Sequence, residues 1–374
     1  MKNVVLIFSI WLVVSNISAQ ITITNSTFPV VGDTLKTAIR FSPSGLNMGT
    51  VNGPQVWDFS TLNAGNKQNE IYKSAASGPD AAAFPDANLL LNVDGQEQYL
   101  KSSSTKIEGL GLGGANDFID VPLVIKYSKR PVLRTAPLNF INSTASNSEF
   151  RIDISANILP DSLLALISIS FDSIRIQFAN NARGVVDAYG TLKMQNKEFP
   201  VLREKVETYS ETKVFIKFFN NWFDVGQFLG GNIPEGFENL LGMDTTFTYN
   251  FYTDSKKEIL VSAEYNTANS LQEVVFADLG GVVSSSNDTY IPAIKVYPNP
   301  TSDFLFVQTP DWKEGTYLVT ISDLSGKMLH AEPVGLNPDT TRQIDISNLS
   351  TGTYLLTIRN QFNSFAGTTK FVVK

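Results

Sequence analysis

"VYPNPTSDFLFV", residues 296–307, is a strand-forming run broken in its middle by Pro298, Asn299 and Pro300. Proline fixes φ near −65° and has no N–H to give, so neither proline belongs inside a ladder. Asn299 between them suits a turn. The stretch therefore reads strand, rigid turn, strand. It opens a region in which strand signals recur at short spacing to the last residue: 293–297, 304–308, 316–322, 328–333, 341–346, 353–360 and 366–373. Ser325-Gly326 and Thr351-Gly352 mark turns between them.

Seven short strands in some eighty residues predict a small seven-stranded sandwich of immunoglobulin-like type. Alternation places Tyr317, Val319 and Ile321 on one inward face, and Ile344 with Ile346 on another. Four stretches carry a resemblance: "VYPNPTSDFLFV", "VTISDLSGKMLH", "IDISNLSTGTYLLTI" and the terminal "KFVVK". In this order they resemble the C-terminal sorting domain of proteins exported by the type IX secretion system of Bacteroidetes. The motif positions are Tyr297, Pro298, Asn299, Pro300, Asp323, Gly326, Gly352 and Tyr354. The resemblance implies two partners, the outer-membrane translocon and a sortase-like peptidase that removes the domain. The rest of the protein would then be released or attached at the cell surface.

The other end fits that route. "MKNVVLIFSIWLVVSNISAQ" has Lys2, an apolar core, and small residues ending at Ala19. That is the pattern of a secretory signal peptide, with cleavage between Ala19 and Gln20 and Sec export to the periplasm. Its apolar core falls short of the roughly 20 residues that span a bilayer, and no later stretch reaches that length, so no transmembrane segment is expected. The expected organisation is a signal peptide (1–19), an all-β cargo region (20–283), a polar linker (284–292) and the sorting domain (293–374). The linker, with Ser284 to Ser286, Asn287 and Asp288, predicts that few contacts cross the boundary.

The cargo region also reads as mainly β, an antiparallel sandwich, with a subdivision near residue 130 as the alternative to a single unit. Asp94-Gly95 and Asp254-Ser255-Lys256 mark hairpin turns. "FDSIRIQFANNARGVVDAYGTLKM" (171–194) reads as strand, turn, strand, and "FPVLREKVETYSETKVFIKFF" (199–219) as one long alternating strand. Helix signals are confined to 234–241 and 80–84. "GPQVWDFSTL" (53–62), "VDAYGTLKM" (186–194) and "FPVLREKVE" (199–207) are similar to segments of other Bacteroidetes secreted proteins with the same sorting domain; that likeness implies no activity.

Composition narrows the chemistry. Of the 374 residues 43% are hydrophobic and 17% charged, which fits a globular chain. The formal net charge of −7 repels phosphate backbones and argues against nucleic acid as a partner. There is no cysteine, which removes disulfides, thiolate zinc sites and thiol catalysis. The single histidine, His330, lies in the C-terminal region, so the cargo region has no base for a Ser-His-Asp triad and no histidine for zinc. The glycines of "EGLGLGGAND" lack the spacing of a phosphate-binding loop and read as a flexible loop. No cofactor or metal ligand set is expected.

What remains is carboxylate chemistry or binding. Candidate carboxylate pairs are Asp94 with Glu97 and Asp117 with Asp120. Glu204, Glu207 and Glu211, interleaved with Arg203, Lys205 and Lys213, read as a solvated charged strand. The aromatic run Phe215, Phe218, Phe219, Trp222, Phe223 and Phe228 reads as sandwich core, or else as a surface that stacks on a glycan or another surface ligand, with Trp222 as the contact. Thr34, Ser162, Ser173, Thr245 and Thr340 each follow an aspartate in a pattern that resembles the Bacteroidetes O-glycosylation motif. The expected function is a secreted or surface-attached, non-catalytic binding or adhesion protein; the alternative is a secreted polysaccharide hydrolase using paired carboxylates.

Overall fold

The structure is a computed structural model. It describes residues 20–374 apart from 42, 44, 64, 94–95, 115–122, 159–169, 229–241, 281–293, 311, 313–314, 325–327, 337–340 and 361–365. The expected signal cleavage at Ala19 and Gln20, the polar linker, the 234–241 helix and the Asp94-Gly95 turn all involve residues outside this set.

Fifteen strands form one large sheet. The first six are β1 (Thr34–Phe41), β2 (Asn52–Asp58), β3 (Asn66–Lys73), β4 (Leu89–Val93), β5 (Gln96–Ser102) and β6 (Lys106–Gly113). Then come β7 (Ile125–Lys129), β8 (Val132–Thr135), β9 (Ser143–Ser155), β10 (Ser173–Met194) and β11 (Lys197–Phe218). The last four are β12 (Asn221–Asp224), β13 (Gly242–Tyr252), β14 (Val261–Asn266) and β15 (Leu271–Ala277). All pairings are antiparallel except β2 with β10. The order runs β11-β13-β14-β15-β1-β3-β4-β5-β6-β7-β9-β10, and β10 pairs with β11 again, so twelve strands close into a barrel-like ring. Residue 130 lies between β7 and β8, both of which pair with β6.

Two local readings are corrected here. Residues 171–194 hold no turn: β10 is one 22-residue strand. Asn180 and Asn181 look like turn residues, but each is paired on both sides, with Ser148 and Asn147 of β9 and with Ser210 and Tyr209 of β11. The turn falls instead at Gln195 and Asn196, whose φ values of 48° and 60° are those of a tight hairpin. Likewise Gly109, Gly111 and Gly113 lie inside strand β6. A Cβ at Gly111 would stand 2.1 Å from the Ile125 carbonyl and 2.4 Å from the Phe84 ring, so β7 and Phe84 can approach only a glycine.

The main core lies on one face of the sheet, where Trp57, Phe59, Leu192, Val201, Phe251, Val261 and Phe276 are buried together. Phe251 meets both Trp57 and Phe59 edge-on, the arrangement that ring quadrupoles favour. The opposite face of β1, β3, β4, β5 and β6 buries Leu35, Tyr72, Leu89, Leu100 and Ile107 with Phe28. The helical expectation at 80–84 is met by a single 3-10 turn, Ala81–Ala83.

The C-terminal residues build seven strands: β16 (Lys295–Tyr297), β17 (Phe304–Gln308), β18 (Gly315–Asp323), β19 (Met328–Leu336), β20 (Thr341–Asp345), β21 (Gly352–Asn360) and β22 (Ala366–Val373). Each falls where alternation placed one. They form two antiparallel sheets, β16-β17-β20 and β19-β18-β21-β22. Tyr317, Val319 and Ile321 are buried, as are Ile344 and Ile346, and side chains of both sheets share one cluster. That cluster also takes in Ile39 and Phe41 of β1. The expectation of few contacts across the boundary is therefore not met: an apolar strip of the large sheet packs into the core of the C-terminal module.

Candidate functional site

The turn at 298–300 is built around Asn299. Its Oδ1 accepts the backbone N–H of Val372 at 3.0 Å, and its Nδ2 donates to the Lys370 carbonyl at 3.3 Å. Thr301 continues the clamp: its N–H donates to Val372 O, and Lys374 N–H donates to Thr301 O, both at 2.9 Å. The prolines remove two donors and fix the chain direction, and Asn299 supplies the side-chain groups that hold the final strand. Tyr297 remains 41% exposed, stacked on Phe306, with its hydroxyl 3.2 Å from that of Thr341.

The other motif positions serve the same sheet pair. Tyr354 is buried and donates its hydroxyl to the Ser350 carbonyl at 2.6 Å, while Asp323 stands opposite it in the β18–β21 register. A Cβ at Gly352 would come 3.3 Å from that hydroxyl. Gly326 lies outside the described residues.

Charged residues of β11 are not all solvated, contrary to the sequence reading. Arg203 is 1% exposed and Glu204 5%. Arg203 forms a bidentate pair with Asp187, both bonds 2.8 Å, and donates to the carbonyls of Met48 and Thr50. Trp57 donates to the same Met48 carbonyl at 2.8 Å. The stretches 53–62, 186–194 and 199–207 thus meet in space, through the β2–β10 and β10–β11 ladders and this clamp. A buried pair is tolerated here because every guanidinium nitrogen finds an acceptor. Farther along β11, Glu211 and Lys213 do pair at the surface.

Glu204 faces a different set. Its carboxylate accepts from Thr144 Oγ1 and from the Tyr252 hydroxyl at 2.9 Å. Arg134 lies 5.4 Å over the Tyr252 ring and donates to Lys257 O and Thr27 Oγ1. These groups line a cleft of about 40 Å3. On the measure by which one water needs roughly 10–15 Å3, the cleft has room for about three or four waters. Nearby, burial holds the Glu70 carboxyl above its ordinary range; the Tyr72 hydroxyl and Arg134 pull it down, and Glu258 pushes it further up. Sequence reasoning missed Glu70, Arg134 and Tyr252, since none stands in a motif and the strands that bring them together are distant in the chain.

The aromatic run divides by face. Val214 and Ile216 are buried on one face of β11, with half-buried Phe218 at the end of that face; Phe215 and, opposite Lys217, Trp222 lie half-buried on the other, and Phe219 in the turn is 82% exposed. Core is therefore the wrong reading for most of the run; only the aliphatic partners are core. Trp222 stacks against Arg175 at 4.0 Å, and Arg175 forks onto Asp153 with bonds of 2.6 and 2.7 Å. Phe228 lies beyond the side chains described.

The structure does not bring the sequence-level carboxylate pairs together. Asp94, Asp117 and Asp120 are outside the described residues, and Glu97 is engaged by the Tyr99 hydroxyl. Among the hydroxyls after aspartate, Thr34 is exposed, Ser173 and Thr245 are half-buried, and Ser162 and Thr340 are outside the description. Among the described residues no acidic or histidine cluster could hold a metal ion, and no helix is long and apolar enough to cross a membrane.

Residues 295–374 match the family described as the secretion system C-terminal sorting domain. The seven-stranded module is thus a type IX sorting domain, and it marks the chain for export by that system. Among solved structures the chain is similar to PorZ, an essential bacterial surface component of the type-IX secretion system of human oral-microbiomic Porphyromonas gingivalis. The identity is 8%, over 77% of this chain and 69% of that one, with a TM-score of 0.19. At that score the likeness says nothing of a shared fold or role. No curated protein matches the chain.

Proposed function

We propose that residues 20–283 are a secreted or surface-attached cargo, joined through 284–292 to a sorting domain of immunoglobulin-like sandwich type (293–374). Sec export with cleavage between Ala19 and Gln20 would precede passage through the type IX translocon, and a sortase-like peptidase would remove the domain. The observation that carries the export reading is the family match over residues 295–374. The test is transfer: a reporter bearing residues 1–25 in front and 281–374 behind should reach the medium or surface of a type IX host and stay in the periplasm of a translocon mutant. Equal export from both strains would overturn it.

For the cargo we infer a non-catalytic binding role. Its support is the half-buried Trp222 stacked on Arg175 at the surface, since partly exposed aromatics stack on sugar rings and apolar partners. A glycan-array screen of the full chain, repeated with Trp222→Ala, tests it; binding unchanged in the variant would remove Trp222 from the site.

The hydrolase reading retains one supporting observation. Glu70 has the raised carboxyl that a general acid needs, with Glu258 near enough to contribute. Turnover of any polysaccharide by the full chain, lost in Glu70→Gln, would replace the binding reading.

A further inference from the structure

Ile39 and Val275 stand directly opposite each other in the β1–β15 ladder, and Phe41 stands opposite Glu273. Residues 39 and 41 point to the same side of their strand, so the two pairs form one strip on one face. Ile39 is 6% and Phe41 7% exposed. They are buried in the cluster formed by Leu305, Val307, Trp312, Tyr317 and Val319 of the C-terminal module, and Val275 packs against its edge. Tyr317 is 2% exposed with Trp312 edge-on at 5.2 Å. Burial, with the Glu273 charge in addition, raises the Tyr317 phenol.

We infer that the sorting module docks in cis on the β1–β15 face of the large sheet, so that cutting the connecting chain does not by itself release it. An apolar strip in mid-sheet that is covered by an aromatic cluster is held by the same burial that holds a core. Removal of the module is then two events, cleavage of the chain and separation of the interface, and the second uncovers Ile39, Phe41 and Val275. The occupant of this strip is the chain's own module, and the inference stands whichever machinery exports the protein.

The test uses the folded full chain with a protease recognition sequence placed between residues 284 and 288. After cleavage, the two fragments should co-elute on size exclusion, and the same cut in Phe41→Asp should let them separate. Separate elution of the wild-type fragments would overturn the inference. Should Phe41→Asp fail to fold, hydroxyl-radical footprinting of the unaltered chain decides. Phe41 and Tyr317 should label several-fold more slowly than the exposed references Phe219 and Tyr209, which are 82% and 54% accessible. Equal labelling of all four would overturn it, and a rise confined to Phe41 and Tyr317 on forced separation would support it.

Discussion

Asn299 and Val372 lie 73 residues apart and are joined by one hydrogen bond, from the Val372 N–H to the Asn299 Oδ1 at 3.0 Å. A second, from Asn299 Nδ2 to the Lys370 carbonyl, makes the side chain a bracket between the opening turn of the module and its final strand. The prolines on either side have no N–H to offer the final strand, and Asn299 Nδ2 supplies a donor there in their place.

That bracket gives the first prediction. Asn299→Ala removes both bonds at an exposed site and should cost roughly 1–2 kcal/mol of module stability. Asn299→Asp keeps the acceptor for Val372 and loses only the donor, so it should fall between. Denaturant unfolding followed through Trp312, which is 1% exposed, reads the effect. Equal midpoints for wild type and Asn299→Ala would show the bracket to be inert.

Trp57 and Trp222 should behave oppositely. Trp57 is 2% exposed, packed on Phe251 and bonded to Met48, so Trp57→Ala should cost about 3–5 kcal/mol. Trp222 is half-buried on Arg175, and Trp222→Ala should cost about 1 kcal/mol or less. Thermal denaturation of the two variants side by side is sufficient. A loss at Trp222 as large as that at Trp57 would make it core and end its candidacy as a ligand contact.

Gly111→Ala tests the close approach of β6 to β7. The added methyl would meet the Ile125 carbonyl and the Phe84 ring inside contact distance. Neither is the free end of a flexible chain, so a cost of about 1–3 kcal/mol is expected. Hydrogen exchange should show faster exchange at Ile125 and Leu112, the paired residues of that ladder. Unchanged stability would mean that β7 can move away without loss.

Glu70 sets a pH dependence of definite sign. Burial first, and Glu258 in addition, raise its carboxyl above the ordinary value, against the pull of Tyr72 and Arg134. In the unfolded chain it titrates near about 4.3. The folded state therefore favours the protonated form. The associated stability is fully present below the unfolded value and is lost as pH rises through the higher folded value. Relative to wild type, Glu70→Gln should gain stability between about pH 4 and pH 7. Urea midpoints for both proteins at the two pH values would show it, and a gap independent of pH would refute it.

Much of this was legible in the sequence because strand patterns are local. Two residues decide a face, so Tyr317, Val319 and Ile321 could be assigned inward from their spacing alone, and Pro298 and Pro300 could be placed in a turn from their missing donors. The same rule says nothing about what will cover a face. Arg203 and Glu204 look like members of a solvated charged strand until Asp187, Tyr252 and Thr144 close over them from β10, β13 and β9. Asn180-Asn181 looks like a turn until two neighbouring strands take up its backbone groups.

Ring closure through β10 and β11 likewise depends on partners brought together from β9 to β13. Ile39 and Phe41 alternate as any half-buried strand does; only the folded chain shows that their cover is the C-terminal module. Alternation is a property of two neighbouring peptide units, whereas burial is a property of whatever distant segment arrives. The sequence by itself determined the strands and inward faces of the C-terminal module and its sorting motif; the tertiary structure decided where the long strands of the large sheet run, which charges lie inside, which aromatics remain outside, and which surface the module occupies.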